Sequence, residues 1–130
     1  MAVRVFLVED SRSMRDLVQD LMDSVGGFEV VGTAATETSA TDWLLRHKGD
    51  WDLAIIDLLL GEGSGFTLIT RCNKDPSAGA VLVFSDFVTP VVRQRCIRLG
   101  ADGVISKGEF GELRAYLQAF PGRVEERELA

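Results

Sequence analysis

Several residue types that would point to other functions are scarce in this 130-residue chain. It has one histidine, His47, and two cysteines, Cys72 and Cys96, which lie far apart, whereas zinc sites and disulfide frameworks need more. Its 14 basic residues are outnumbered by 20 acidic ones and form no basic patch, which argues against a nucleic-acid surface. No apolar run approaches a membrane span or a signal peptide, so we expect a cytoplasmic protein that contacts neither membrane nor nucleic acid.

Five short apolar runs alternate with five amphipathic segments along the chain. The runs, typical of strands buried on both faces, are Val3–Val8, Phe28–Ala34, Leu53–Leu58, Ala80–Phe84 and Gly103–Ser106. The segments with helical spacing begin at Ser11 or Ser13, Thr36 or Thr38, Phe66, Thr89 and Glu109. They end at Val25, Gly49, Asn73, Gly100 and Phe120. Strand and helix in alternation predict an α/β fold, a doubly wound five-stranded parallel sheet with helices on both faces. Residues 1–120 form this domain and residues 121–130 a polar tail.

Polar side chains stand where the apolar runs end. Glu9 and Asp10 follow the first run, Asp57 lies near the end of the third, and Ser85 and Lys107 follow the fourth and fifth. Because active sites of open α/β sheets form beyond the carboxyl ends of the strands, we expect these groups to converge. Carboxylates ~4 Å apart repel by roughly 4 kcal/mol at an effective dielectric constant of 20, a cost that a bound cation removes. Oxygen ligands suit Mg²⁺ better than zinc.

This constellation favours phosphoryl chemistry. With a metal ion and the Lys107 ammonium neutralising charge, Asp57 can attack phosphorus as a carboxylate nucleophile and become an aspartyl phosphate. Ser85 and Lys107 can hold the other phosphate oxygens. The structural alternative is a lysine–carboxylate ion pair that carries out no reaction.

The stretches FLVEDSRSMRDLV, IIDLLLGEGSGF and LGADGVISK resemble the receiver domain of bacterial two-component response regulators, over nearly the whole chain. The resemblance implies a flavodoxin-like (βα)5 fold with strand order 2-1-3-4-5 and Asp57 as the phosphoacceptor. It implies Mg²⁺ bound by Asp10, Asp57 and the Leu59 carbonyl, with Glu9 acting through a metal-bound water. A sensor histidine kinase or a phosphotransfer protein would donate the phosphoryl group.

The resemblance covers nearly all of the given residues and leaves too few for an output domain. We therefore expect a stand-alone regulator that is not an enzyme. It would act as a monomer or weak dimer and signal by binding a downstream protein. The family's usual signalling surface is the face of the fourth helix, fifth strand and fifth helix, which here carries Arg93, Arg95, Arg98 and Tyr116.

The chain departs from the family pattern at several positions. Val104 replaces the usual aromatic switch residue, Asp86 replaces a small residue at the mouth of the site, and Gly108 replaces a proline. We therefore expect the signal to travel through backbone shifts, and labelling by small anionic donors to be slow. Leu59 and Phe87 offer no polar group to orient a hydrolytic water, which favours a long-lived phosphorylated state.

Two rival functions stay open. Val104 and Asp86 suggest a degenerate receiver that binds partners without phosphorylation. The weaker rival is a Mg²⁺-dependent phosphatase with Asp57 as its nucleophile. It is disfavoured because such enzymes usually place the nucleophile on the first strand and carry a cap over the substrate.

Overall fold

The structure is a computed structural model, and it describes residues 2–121. The strands are β1 (Val3–Val8), β2 (Phe28–Ala34), β3 (Leu53–Ile56), β4 (Ala80–Ser85) and β5 (Gly103–Ser106). The helices are α1 (Arg12–Val25), α2 (Glu37–Arg46), α3 (Gly65–Asn73), α4 (Pro90–Leu99) and α5 (Phe110–Ala119). The predicted alternation is confirmed, whereas all but the first residue of the predicted tail lies outside the described residues.

The five strands form one parallel sheet in the order β2-β1-β3-β4-β5, as the resemblance implied. The register aligns the carboxyl ends of the neighbouring strands, because Val8 pairs with Ile56 and Ser85 pairs with Ser106. The predicted third strand was two residues too long: it ends at Ile56, and Asp57 is the first residue beyond it.

The sheet separates two hydrophobic cores. Alternate residues of β1 point to opposite faces, so that Phe6 and Val8 join the core under α2, α3 and α4, while Val5 and Leu7 join the core under α1 and α5. Each of these side chains is at most 1% exposed. Full burial of an aliphatic side chain contributes about 1.5–3 kcal/mol, so this double-sided burial holds the central strands, and the residues that follow them, in place.

Side-chain caps begin four of the five helices. Thr89, predicted as a cap, and Ser11 and Thr36, each one of two predicted candidates, accept hydrogen bonds from backbone amides in the first turns of α4, α1 and α2. Ser64 does the same for α3. Such caps are each worth about 1 kcal/mol. The start of α5 has no side-chain cap.

His47 and the two cysteines make packing contacts within the fold. The His47 ring stacks on Trp43 with 4.2 Å between ring centroids, and Trp43 stacks on Phe6 at 4.0 Å. Cys72 and Cys96 are free and buried. Among residues 2–121, no helix is long and apolar enough to cross a membrane.

Candidate functional site

The carboxyl ends of β1, β3, β4 and β5 bring the predicted site residues together. Asp57 follows β3 directly and still donates its backbone amide to the Val8 carbonyl of β1, 3.0 Å away. Lys107 follows β5 and donates its amide to the Ser85 carbonyl of β4, also at 3.0 Å. The sheet therefore fixes the backbones of these residues, and their side chains project from one edge.

Asp57 is buried, and donors engage both of its carboxylate oxygens. Ser85 donates its hydroxyl to Oδ1 at 2.8 Å, and the amide of Leu59 donates to the same oxygen at 3.3 Å. The ammonium of Lys107 lies 2.8 Å from Oδ2. Ser85 is itself fully buried, so the orientation of the Asp57 carboxylate is set by groups that have little freedom to move.

Lys107 also pairs with Glu9. Its ammonium lies 2.6 Å from Glu9 Oε1, while the amide of Ser11 donates to Oε2 at 3.0 Å. Burial raises the pKa of the Glu9 carboxyl, and the contacts with Lys107 and Ser11 only partly oppose this. Burial alone would lower the pKa of Lys107, but hydrogen bonds to Asp57 and Glu9 outweigh it and leave that pKa raised. The ammonium is therefore charged and shared between two buried carboxylates.

Asp10 completes an acidic cluster at the mouth of the site. It is exposed, and its Oδ2 accepts a hydrogen bond from the amide of Gly61 at 2.8 Å. One oxygen each from Glu9, Asp10 and Asp57 lies within 4.8 Å of the others. Three carboxylates against one ammonium leave an excess of negative charge, and an all-oxygen donor set suits a hard divalent cation. These residues therefore fit Mg²⁺.

The comparisons agree with this geometry. A family model, the response regulator receiver domain, matches residues 5–118. The chain belongs to this receiver family. Its relatives include the chemotaxis protein CheY of Halobacterium salinarum, with 23% identity over 82% of this chain and 86% of the relative. The transcriptional regulatory protein YvfU of Bacillus subtilis, itself called uncharacterized, is 27% identical over 85% of this chain.

Solved receivers share the fold. The phosphorylated cyanobacterial phytochrome response regulator RcpA superposes with a TM-score of 0.75 at 23% identity, covering 91% of this chain and 90% of that one. The receiver described here spans 55% of the length of YvfU. It is a receiver domain of two-component signalling.

The departures from the family pattern surround the receiver's site. Asp86 and Phe87 are exposed just after β4, and the amide of Phe87 donates to the Ser85 hydroxyl at 3.3 Å. Leu59 is also exposed, at 56%. These three positions therefore add to Asp10 one further carboxylate and two large apolar groups, and within residues 2–121 none of their side chains donates a hydrogen bond to Asp57.

Val104 lies in the core, with 5% exposure. Its carbonyl accepts a hydrogen bond from the Arg93 guanidinium at 2.6 Å, which ties α4 to β5. The sequence gives no sign of this bond, because its acceptor is a backbone atom. Peptide bonds are trans throughout the described residues, including the bond between Lys107 and Gly108.

The three arginines of α4 do not share one surface. Arg93 reaches β5, whereas Arg95 lies over the ring of Phe66 in α3, with 4.0 Å from its guanidinium carbon to the ring centroid. Arg98 lines a shallow groove on α4 together with Arg93. Tyr116 on α5 is half-buried, and burial raises its pKa.

Proposed function

We propose that this receiver accepts a phosphoryl group on Asp57 from the phosphohistidine of a sensor histidine kinase or a phosphotransfer protein. The observation that carries the proposal is the buried Asp57 carboxylate, held between the Ser85 hydroxyl and the Lys107 ammonium. One carboxylate oxygen forms the new bond to phosphorus as the bond from phosphorus to the imidazole nitrogen breaks. The electron pair stays on the imidazole, which takes up a proton from water.

Mg²⁺ would be held by the carboxylates of Asp10 and Asp57 and the carbonyl of Leu59, with Glu9 acting through a bound water. When bound, the ion supplies positive charge that offsets the charge of the phosphoryl oxygens. Lys107, whose ammonium lies 2.8 Å from Asp57 Oδ2, supplies further positive charge. The Ser85 hydroxyl can exchange its bond to Asp57 for a bond to a phosphoryl oxygen. The phosphorylated state named for RcpA supports the proposal.

The output would be the binding of a downstream protein in the cytoplasm. We assign this to a surface made by Arg93, Arg98 and Tyr116 on α4 and α5, with residues 1–120 acting as one domain. Arg95 is left out because it stacks on α3. Since Arg93 bonds the Val104 carbonyl, a backbone shift in β5 would move α4 directly. Nothing in this assignment requires an enzymatic activity.

A degenerate receiver is the second candidate, and the exposed Asp86 carboxylate beside the site favours it. A negative charge at the mouth repels anionic donors, so the site could serve only partner binding. This candidate predicts that no donor labels the chain. A phosphatase function is a weaker candidate, and it predicts turnover of a generic phosphate ester.

Intact-mass spectrometry tests the proposal. The native chain, incubated with phosphoramidate and Mg²⁺, should gain one phosphoryl group over a time course, whereas Asp57→Asn, or the native chain with a chelator, should gain none. Asp86→Ala should be labelled faster than the native chain, because a repulsive charge is removed. Absence of labelling with phosphoramidate and also with a phosphorylated phosphotransfer protein would favour the degenerate receiver.

A further inference from the structure

A cavity of about 550 Å³ lies between α2 and α3. Its residues come from the end of α2, from α3 and from the loops that precede β3 and β4, so it opens at the amino edge of the sheet, opposite Asp57. Leu44, Trp51 and Cys72, each at most 6% exposed, form its apolar floor, and Leu45, 53% exposed, forms a wall. Its volume falls in the range of about 300–1,000 Å³ that is usual for ligand pockets.

Three cations surround this groove. Lys48, Arg71 and Lys74 line it together with a single carboxylate, Asp75. Among residues 2–121, none of the three cationic side chains forms an ion pair or a hydrogen bond. Asp75 accepts hydrogen bonds from the amide and hydroxyl of Ser77 at 2.9 and 2.7 Å, and these bonds, with the nearby charge of Lys48, lower its pKa, so one negative charge stands against three positive ones. The groove is therefore a local positive site on a chain of net charge −6.

Helix dipoles explain only part of this arrangement. Cations near a helix C-terminus gain about 0.3–1 kcal/mol, and Arg71 and Lys74 lie at the end of α3. That effect needs no cavity, and it does not account for an exposed leucine and an apolar floor between the charges. Apolar floor and cationic rim together match a ligand that has an apolar centre and flanking negative charges.

We propose that the groove between α2 and α3 binds an acidic peptide segment of a partner protein that carries a large apolar anchor side chain. The anchor packs on Leu45 and the apolar floor, and the flanking carboxylates of the peptide pair with Lys48, Arg71 and Lys74. Because the groove lies at the edge opposite Asp57, this binding is independent of the phosphoryl chemistry. Exposed charge pairs are screened by salt, so binding weakens as ionic strength rises.

The test is a nuclear magnetic resonance titration of the ¹⁵N-labelled full chain with the blocked hexapeptide Glu-Asp-Leu-Phe-Asp-Glu. We expect the amide signals of Leu45, Thr70 and Arg71 to shift, and those next to Asp57 to stay in place. The double variant Arg71→Glu with Lys74→Glu should bind at least roughly tenfold more weakly, because attraction becomes repulsion.

A control variant and a control peptide have the same net charges as the groove variant and the hexapeptide. The variant Arg12→Glu with Arg114→Glu has the same net charge as the groove variant and should bind as the native chain does. The hexapeptide with serine in place of leucine and phenylalanine should bind at least tenfold more weakly. Binding of the groove variant within twofold of native, equal binding of the serine peptide, or the same shifts with inorganic phosphate would overturn the proposal.

Discussion

Replacing Lys107 by methionine tests the charge balance of the site. The ammonium lies 2.6 Å from Glu9 Oε1 and 2.8 Å from Asp57 Oδ2, and the Lys107 side chain is 8% exposed. Methionine keeps a flexible unbranched stem but removes the charge. Two buried carboxylates then face each other without a cation.

Two limits set the size of the effect. Removing one partner of a buried ion pair costs about 3–5 kcal/mol. The carboxylates can instead take up one proton, and at pH 7 the protonation of a carboxyl group of pKa ~4.3 costs about 3.7 kcal/mol. We therefore expect Lys107→Met to lower the free energy of unfolding by about 3–4 kcal/mol at pH 7 and by only about 1 kcal/mol at pH 5.

Urea unfolding followed by circular dichroism, with a chelator present, measures this loss. Lys48→Met is the matched control, because within residues 2–121 the Lys48 ammonium forms no ion pair; its change should stay within about 0.5 kcal/mol. A loss below about 1 kcal/mol at pH 7, or the same loss at both pH values, would refute the reasoning.

Three further predictions rest on single contacts. Hydrogen bonds from Arg4 hold the pKa of Asp52 below its usual value, so the carboxylate stabilises the fold above the unfolded pKa of ~3.9 and this contribution is lost as the pH falls through the lowered pKa. Asp52→Asn should therefore lower the free energy of unfolding more at pH 7 than near pH 2, and an equal loss at both would contradict this. Gly63 has φ +89°, and a Cβ there would overlap the side chain of Glu37, the first residue of α2. Gly63→Ala should therefore lower the free energy of unfolding by more than about 1 kcal/mol, whereas Gly111→Ala in α5, where a Cβ meets no atom, should not lower it. Equal urea midpoints for the two variants would contradict this. Burial raises the pKa of Cys72 to about 11, so iodoacetamide at pH 8 should alkylate it about a hundredfold more slowly in the native chain than in urea, and similar rates would mean an accessible thiol.

The sequence predicts the elements well because their signals are local. Apolar runs and capping residues such as Thr36 and Thr89 need only their neighbours in the chain. The convergence of Glu9, Asp57 and Lys107 follows equally directly, since parallel strands present their carboxyl ends at one edge. The end of β3 was misjudged because Leu58 is buried without belonging to the strand.

The contacts that tune the site escaped prediction for a physical reason. The bonds from the Gly61 amide to Asp10 and from Arg93 to the Val104 carbonyl involve backbone atoms, whose partners depend on tertiary packing. The separation of Arg93 from Arg95 was predictable, however. Successive residues of a helix are rotated by ~100° about its axis. Arg93 and Arg95 are two positions apart, so they lie on nearly opposite sides of α4 and could not share one surface.

The most direct test of the central claim locates the phosphoryl group. The chain is incubated with phosphoramidate and Mg²⁺, reduced with borohydride, which converts an aspartyl phosphate to homoserine, and mapped by tandem mass spectrometry. Homoserine is expected at position 57 alone, with none in the chelated sample and none in Asp57→Asn. Modification at Asp10 or Glu9, or at no position after treatment with both a small donor and a phosphorylated phosphotransfer protein, would contradict it.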